Sequence, residues 1–359
     1  MKKFKVGCCI TSHGWGHAAR VCAVMEQMYQ LVPVDSVFVT QVPEFFFEES
    51  LGKPVNYHFL QTDVGFVQAS CLDEDLGRTR AALDSFYPLS SERVDTCATF
   101  FEECDIIVCD IAPLGILAAG KLGVPSVLIE NFTWDWIYEA YLQKCPELKS
   151  HRKYLQHVFD QADYHIQTQP VCYPGQADLI VGPVARSLRG SAGRIRKELT
   201  GDVYNHLILL TMGGGGRSEI ALEIAGQFPE CLFLTPGYVH TEHPSNVMAL
   251  PTSSTYYHPD LIAAVDIVIG KVGYSTTAEI VQAGKPFGYV DRPLFPESTH
   301  LIRYIEKHLQ ATRVSSDALR TGSWSEQLAW LLEQSRQSHS PVICNGAETI
   351  AAFLLDLQI

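Results

Sequence analysis

No apolar run in the 359-residue sequence approaches the roughly 18 or more residues of a membrane-spanning helix. Basic residues are also in short supply: 27 Lys and Arg stand against 40 Asp and Glu, a formal charge of −13 at pH 7. Nucleic acid is therefore not expected as a partner, because a phosphate backbone needs a basic footprint. Electrostatic docking to an anionic bilayer is disfavoured on the same ground, so peripheral membrane contact is not expected either. The eleven cysteines are odd in number and scattered, with no CxxC pair, which argues against both a zinc site and a secreted disulfide framework. "MKKFKVGCCI" begins with basic residues, but its apolar part breaks at "TSHG", too soon for a secretory signal. A cytoplasmic location with reduced thiols is the expectation. Short-period repeats and low-complexity segments are lacking as well.

What the sequence does contain is enough apolar material for a large core: 47% of its residues are hydrophobic and 19% charged. The length exceeds one ordinary core and suggests two domains. Apolar runs of strand length alternate with stretches of helical period. "KVGCCI", "SVFVT", "DIIVCD", "PSVLIEN" and "DYHIQT" are strands of the first half; "NHLILLTM", "CLFLTPG", "DIVIGKV" and "PFGYV" are strands of the second. Between them, "AARVCAVMEQMYQL", "RTRAALDSFYPLSSERVDTCATFFEE", "LGILAAGKLG", "RSEIALEIAGQF" and "STTAEIVQAG" read as helices. Continuous apolar strands separated by helices belong to parallel sheets covered on both faces, so the expected class is α/β with two doubly wound, Rossmann-like domains. Their junction is expected near "LIVGPVARSLRGSAGR", where glycine and proline favour a linker, giving domains at 1–183 and 184–345. The last helix, within 346–359, is a candidate to pack back on the first domain.

Open parallel sheets bind ligands beyond the carboxyl ends of their strands, so the loops leaving those ends hold the candidate chemistry. In "ITSHGWGHAAR", Gly14 and Gly16 permit a tight turn and close approach to a ligand. His17 opens a helix, whose dipole disfavours an imidazolium and so suits the ring to act as a base; Arg20 shares its face. The alternative for both His17 and His13 is that they only cap and fill the turn; otherwise His13 is a second catalytic group, and Trp15 either stacks on a sugar or shields the loop. Asp110, ending "DIIVCD", either orients His17 or an acceptor hydroxyl, or caps the next helix.

Three loops of the second half add to this. "TMGGGGRSEI" places Gly213, Gly214 and Gly215 before a helix, exposing backbone donors to a bulky anion, yet it is neither GxGxxG nor GxxxxGK[ST]. "GKVGYSTTAEIVQAGKP" offers Gly273, Ser275 and Thr276 at a strand-to-helix turn suited to a diphosphate. Glu279 follows one turn later, placed to accept two ribose hydroxyls or else to favour its helix start as a solvated charge. In "VDRPLFPESTHLIRYIE", Glu297, Thr299 and His300 are candidates to hold sugar hydroxyls, capping by Glu297 being the alternative.

Over its whole length the chain resembles glycosyltransferases of the GT-B fold, in the MurG and UDP-glycosyltransferase superfamily. "DIVIGKVGYSTTAEIVQAGKPFGYVDRP…FPE" is similar to that superfamily's donor-binding signature. "SHGWGHAAR" is similar to its glycine-histidine loop, in the HGxGHxxR variant found in the transferase-like part of plant arabinose kinases. The resemblance implies an acceptor-binding first domain and a donor-binding second one. It implies His17 as base or acceptor-site residue, Gly273, Ser275 and Thr276 on the diphosphate, and Glu279 on the ribose. It further implies Glu297 and His300 near the donor sugar, and Arg186 of "VGPVAR" on the diphosphate. "ESTHLIRY" departs from the superfamily's usual acidic or amide pair followed by "xxNA".

Two weaker signals are set aside. "DED" at 73–75 matches the DxD metal motif of another transferase fold, but it precedes "LGRTR" and reads as the solvated start of a helix. "PEFFFEES" carries three adjacent phenylalanines, which suit packing against neighbouring loops better than a lipid-facing role. The function expected is metal-free, cofactor-free transfer of a sugar from a nucleotide-diphosphate donor, UDP-linked by resemblance, to a hydroxyl acceptor. A nucleotide-sugar 2-epimerase and a non-catalytic nucleotide-sugar-binding module are the alternatives.

Overall fold

The computed structural model describes residues 3–68, 73–201, 203–213, 220–236, 243–251, 256–336 and 345–357. Gly214 and Gly215 lie outside the described residues. Two sheets, parallel throughout, carry the architecture. The first contains β1 (Phe4–Ile10), β2 (Val34–Thr40), β3 (Asn56–Phe59), β4 (Ile106–Asp110), β5 (Ser126–Glu130), β6 (Tyr164–Thr168) and β7 (Leu179–Val181). The second contains β8 (His206–Thr211), β9 (Cys231–Pro236), β10 (Val247–Leu250), β11 (Ile267–Lys271), β12 (Phe287–Val290) and β13 (Ala311–Arg313).

Strand orders are β3-β2-β1-β4-β5-β6-β7 and β10-β9-β8-β11-β12-β13. Each order reverses between two central strands, β1 with β4 and β8 with β11. A crevice opens at such a switch point, because the connecting helices leave to opposite faces. β4 and β5 are buried along their whole length. On one face of the first sheet, Ile10, Phe38 and Val108 pack with Val21, Met25 and Met28 of α1 (Gly16–Leu31). On the other, Cys9 and Ile107 pack with Leu114 and Phe101. The second sheet is covered in the same way, by Trp324 and Leu328 on one face and by Leu261 and Ile305 on the other.

The nine strands expected from apolar runs all form. Four others, β3, β7, β10 and β13, are sheet edges of three or four residues with half-buried patterns, so they lack the continuous apolar run that marks a central strand. β7 takes "LIV" from the stretch expected to be linker. After α2 (Glu44–Leu51), the long helix expected around residues 78–103 is two, α3 (Leu76–Phe86) and α4 (Ser91–Phe101). Pro88 cannot donate to a helix, and Ser90 caps the new one by accepting from Arg93 N. "RSEIALEIAGQF" is not an α-helix where described; only a 3₁₀ turn at Glu223–Gln227 forms. The Gly346–Asp356 helix lies on the first sheet's side, with Ile350 and Leu354 in one cluster with Met25 and Val181. Among the described residues, no helix is long and apolar enough to cross a membrane.

Candidate active site

The loop after β1 and the end of β4 meet at the first switch point. Gly14 has φ 82°, a left-handed turn that glycine adopts without strain, and it lets the chain reverse before α1. Ile111, directly after Asp110, is held at φ 42°; for a β-branched residue this is strained by about 1–3 kcal/mol. His17 and Arg20, one turn apart on α1, both face Asp110. His17 Nδ1 lies 2.7 Å from Asp110 Oδ1. Arg20 donates from Nε to Oδ2 and from Nη2 to Oδ1, each at 2.7 Å.

All three side chains are buried, and burial by itself would raise the Asp110 carboxyl. The guanidinium of Arg20 and the imidazole of His17 outweigh that effect and hold it below its usual range. Asp110 is thus a fixed anion, and the His17 nitrogen facing it is the donor of the pair. Arg20 also donates from Nη1 to Asn131 Oδ1 at 2.9 Å, and Asn131 Nδ2 donates to Glu297 Oε1 at 2.7 Å. One hydrogen-bonded chain therefore runs from His17 on the first sheet to Glu297 on the second. Burial raises the Glu297 carboxyl.

His13 sits in an aromatic box, edge-on to Trp134 at 4.9 Å and nearly parallel to Phe295 at 6.4 Å. Burial first, then the charges of Arg292, His17 and Lys271, push its pKa down to about 3. It is a neutral hydrogen-bonding group, unsuited to taking up a proton. Beside it, Trp134 Nε1 donates to Asp63 Oδ2 at 2.7 Å, and burial pushes Asp63 up to about 6. Trp15 packs on Phe45 and Phe46 of α2, so it shields its own loop. Phe46 and Phe47 are buried while Phe45 is 40% exposed, in keeping with packing for "PEFFFEES".

On the second sheet, Gly273 precedes the Tyr274–Ala283 helix, which starts against α1: Ser275 Oγ donates to Gly16 O at 2.5 Å. Arg20 stacks on Tyr274, 4.8 Å from its ring centroid. Thr276 is half-buried at the same helix start. Gly213, at the end of β8, has φ 83°, and Lys271 Nζ lies 3.6 Å from where its Cβ would stand. Glu279 is buried and bound on both oxygens, by Arg186 Nε at 2.8 Å and by His258 Nδ1 at 3.0 Å. Burial would raise this carboxyl, but Arg186 and His258 bring it down to about 2. It is not the solvated charge of an ordinary helix start.

Arg186, expected on the diphosphate, is engaged by Glu279 and by Ser50 of α2. His300 stands edge-on to Trp136 at 5.7 Å, one turn beyond Glu297. The "DED" stretch also departs from expectation. Asp75 caps α3, but the Glu74 side chain is buried and accepts from Arg292 Nη2 at 2.5 Å. Sequence reading passed over Asn131, His258, Lys271 and Arg292. Lys271 and Arg292 carried a usable signal, since each lies at or just after a strand's carboxyl end; Asn131 and His258 carried none beyond their polarity.

No protein-family model matches the chain. It is 29% identical over 329 residues to an L-arabinokinase of Arabidopsis thaliana, covering 89% of this chain and 31% of that protein. It is 26% identical over 201 residues to the UDP-N-acetylglucosamine–N-acetylmuramyl-(pentapeptide) pyrophosphoryl-undecaprenol N-acetylglucosamine transferase of Bacillus cytotoxicus, covering 50% of each. The chain thus spans about a third to a half of these curated relatives. Among solved structures, Arabidopsis thaliana UGT89C1 complexed with UDP aligns with a TM-score of 0.61 at 12% identity, covering 98% of both chains. The glycosyltransferase SnogD of Streptomyces nogalater gives 0.57 at 15% identity, covering 99% of this chain and all of that one. MurG of Acinetobacter baumannii gives 0.52 at 14%, with the same coverage. The fold is that of the GT-B glycosyltransferases.

Proposed function

We propose that the chain transfers a sugar from a nucleotide-diphosphate donor, UDP-linked in the first instance, to a hydroxyl-bearing acceptor, without a metal and in the cytoplasm. The observation that carries this reading is the His17–Asp110 pair at 2.7 Å. Asp110 accepts a hydrogen bond from Nδ1–H, so Nε2 keeps its lone pair and takes the proton of the acceptor hydroxyl. The freed oxygen attacks the anomeric carbon, the bond from that carbon to the diphosphate oxygen breaks, and the nucleoside diphosphate leaves with the electron pair. Asp110 then stabilises the imidazolium that has formed.

The donor side assigns itself by the same logic. Gly273, Ser275 and Thr276 present the free N–H groups of a helix start to the diphosphate, and the Lys271 ammonium stands at the neighbouring strand end. Together they supply the positive charge that the leaving group needs. Glu279 receives the ribose hydroxyls on the lone pairs left beside its bonds to Arg186 and His258, and Glu297 faces the sugar. A second reading, nucleotide-sugar binding without transfer, draws on one observation: both oxygens of Glu279 already have protein partners.

A thermal-shift screen of nucleotides and nucleotide sugars tests the reading. A ligand present at a hundred times its dissociation constant stabilises the folded state by about 2.7 kcal/mol. UDP or UDP-sugars are expected to raise the melting temperature, and a stabilising donor is then offered with a panel of hydroxyl acceptors. Silence from every nucleotide sinks both readings. Binding with no release of nucleoside diphosphate beyond slow hydrolysis favours the second.

A further inference from the structure

Two nitrogen atoms close to the His17 site are buried with no hydrogen-bond partner among the described residues: Nε of Arg292 and Nε2 of His13. They come from different sheets, yet both side chains rest on Phe295. The Arg292 guanidinium lies 4.1 Å from the ring centroid, and the His13 ring is stacked 6.4 Å from it. Arg292 is only 5% exposed. Its Nη2 is fixed by Glu74, which leaves the Nε–H as a donor held in place with nothing to bind. His13 is closed on its other edge, since a Cβ on Gly65 would lie 2.8 Å from Nδ1 and 2.7 Å from Trp134. Nε2 is therefore the edge left for a ligand.

Burying an N–H of a cation without a partner is costly, and proteins retain such groups where a ligand completes them. A site of this kind also discriminates against any ligand lacking the matching group, because binding it leaves the buried donor unpaired. The two nitrogens sit where a sugar would lie under the reading above. Lys271 ends β11, Val290 is its register partner in β12, and Arg292 follows two residues later. Arg292 thus lies just past the carboxyl end of β12, the strand paired with the one that leads into Gly273 and Ser275. It belongs to the loop that carries Glu297.

We propose that Arg292 and His13 receive a carboxylate borne by the transferred sugar, so that the donor is a nucleotide-linked uronic acid or another acidic sugar. The assignment rests on the nucleotide-sugar reading and adds the class of sugar to it. Arg292 Nε donates to one carboxylate oxygen, and His13, in its Nε2–H tautomer, donates to the same group. The neighbouring carboxyls already have donors of their own, Trp134 for Asp63 and Asn131 for Glu297.

Titration calorimetry on the full chain with UDP, UDP-glucose and UDP-glucuronic acid tests this. UDP-glucuronic acid is expected to bind about tenfold or more tightly than UDP-glucose, the factor that a hydrogen bond to a charged group contributes. Arg292→Lys keeps the charge opposite Glu74 but loses the Nε–H; it should bring the ratio close to one while UDP affinity stays within about twofold. His13→Phe, which fills the same aromatic box, should lower the ratio in the same direction, and both variants are checked for an unchanged melting temperature. Equal binding of the two sugars by the unmodified chain overturns the proposal. So does an Arg292→Lys variant that weakens UDP as much as UDP-glucuronic acid, which would put the guanidinium on the diphosphate. Failure of UDP itself to bind refutes the nucleotide-sugar reading, and this inference with it.

Discussion

His17 at the start of α1 and Asp110 at the end of β4 are 93 residues apart in sequence and meet at 2.7 Å, Nδ1 against Oδ1. The contact leaves Nε2 as the only ring nitrogen able to accept a proton. His17→Ala is expected to lower turnover by about 10²–10⁴-fold, the usual worth of a positioned base. Nucleotide affinity should be unchanged, since the residues assigned to the nucleotide lie on the second sheet. Transfer and nucleotide binding are measured on the same preparation; full turnover, or a collapse of nucleotide affinity, refutes the assignment.

Asp110→Asn tests the same pair from the other side. The amide keeps the shape but no longer stabilises an imidazolium, so turnover should fall at least tenfold with donor affinity preserved. The substitution also breaks the buried pair with Arg20, and removing one partner of such a pair costs roughly 3–5 kcal/mol. A lower melting temperature should accompany the lost turnover. If stability and rate both match the parent, Asp110 plays neither part.

Glu279 links binding to pH. Its folded-state pKa of about 2 lies below the ordinary 4.5, so its contribution to stability is fully present above about pH 4.5 and is lost as pH falls toward 2. The shift corresponds to roughly 3 kcal/mol at neutral pH. Glu279→Gln should therefore melt below the parent at pH 6, and the gap should narrow between pH 4.5 and 2. A gap independent of pH would show that the carboxylate charge is not what Arg186 and His258 stabilise. The same variant should weaken nucleotide binding about tenfold or more.

Gly65 is packed against two rings. A methyl group there would stand 2.7 Å from Trp134 and 2.8 Å from His13 Nδ1, with no room to yield between buried side chains. Gly65→Ala is expected to destabilise the fold by about 1–3 kcal/mol, as overpacking does. Denaturant unfolding of both proteins measures it; an unchanged midpoint would mean that the aromatic box adapts freely.

Much of this was written in the sequence. The nine central strands were legible because strands buried on both faces need continuous apolar runs, and β4 and β5 are buried at every position. The strand-end loops were legible because glycine and polar residues must interrupt such runs where the backbone turns toward a ligand. Edge strands such as β3 and β13 were not, since one open side removes the apolar demand.

What the sequence could not contain is partnership at long range. It offered orientation of His17 as only one of three roles for Asp110; the parallel pairing of β1 with β4 brings the two into contact. It gave Arg186 no partner within the chain and read Glu74 as solvated, whereas packing buries Arg186 against Glu279 and Glu74 against Arg292. Local pattern determines which segments form strands and helices, because propensity and burial period act over a few residues. Which charges pair, and so which pKa values move, is decided by distances between segments a hundred or more residues apart. Those distances exist only once the two sheets have formed and closed on each other.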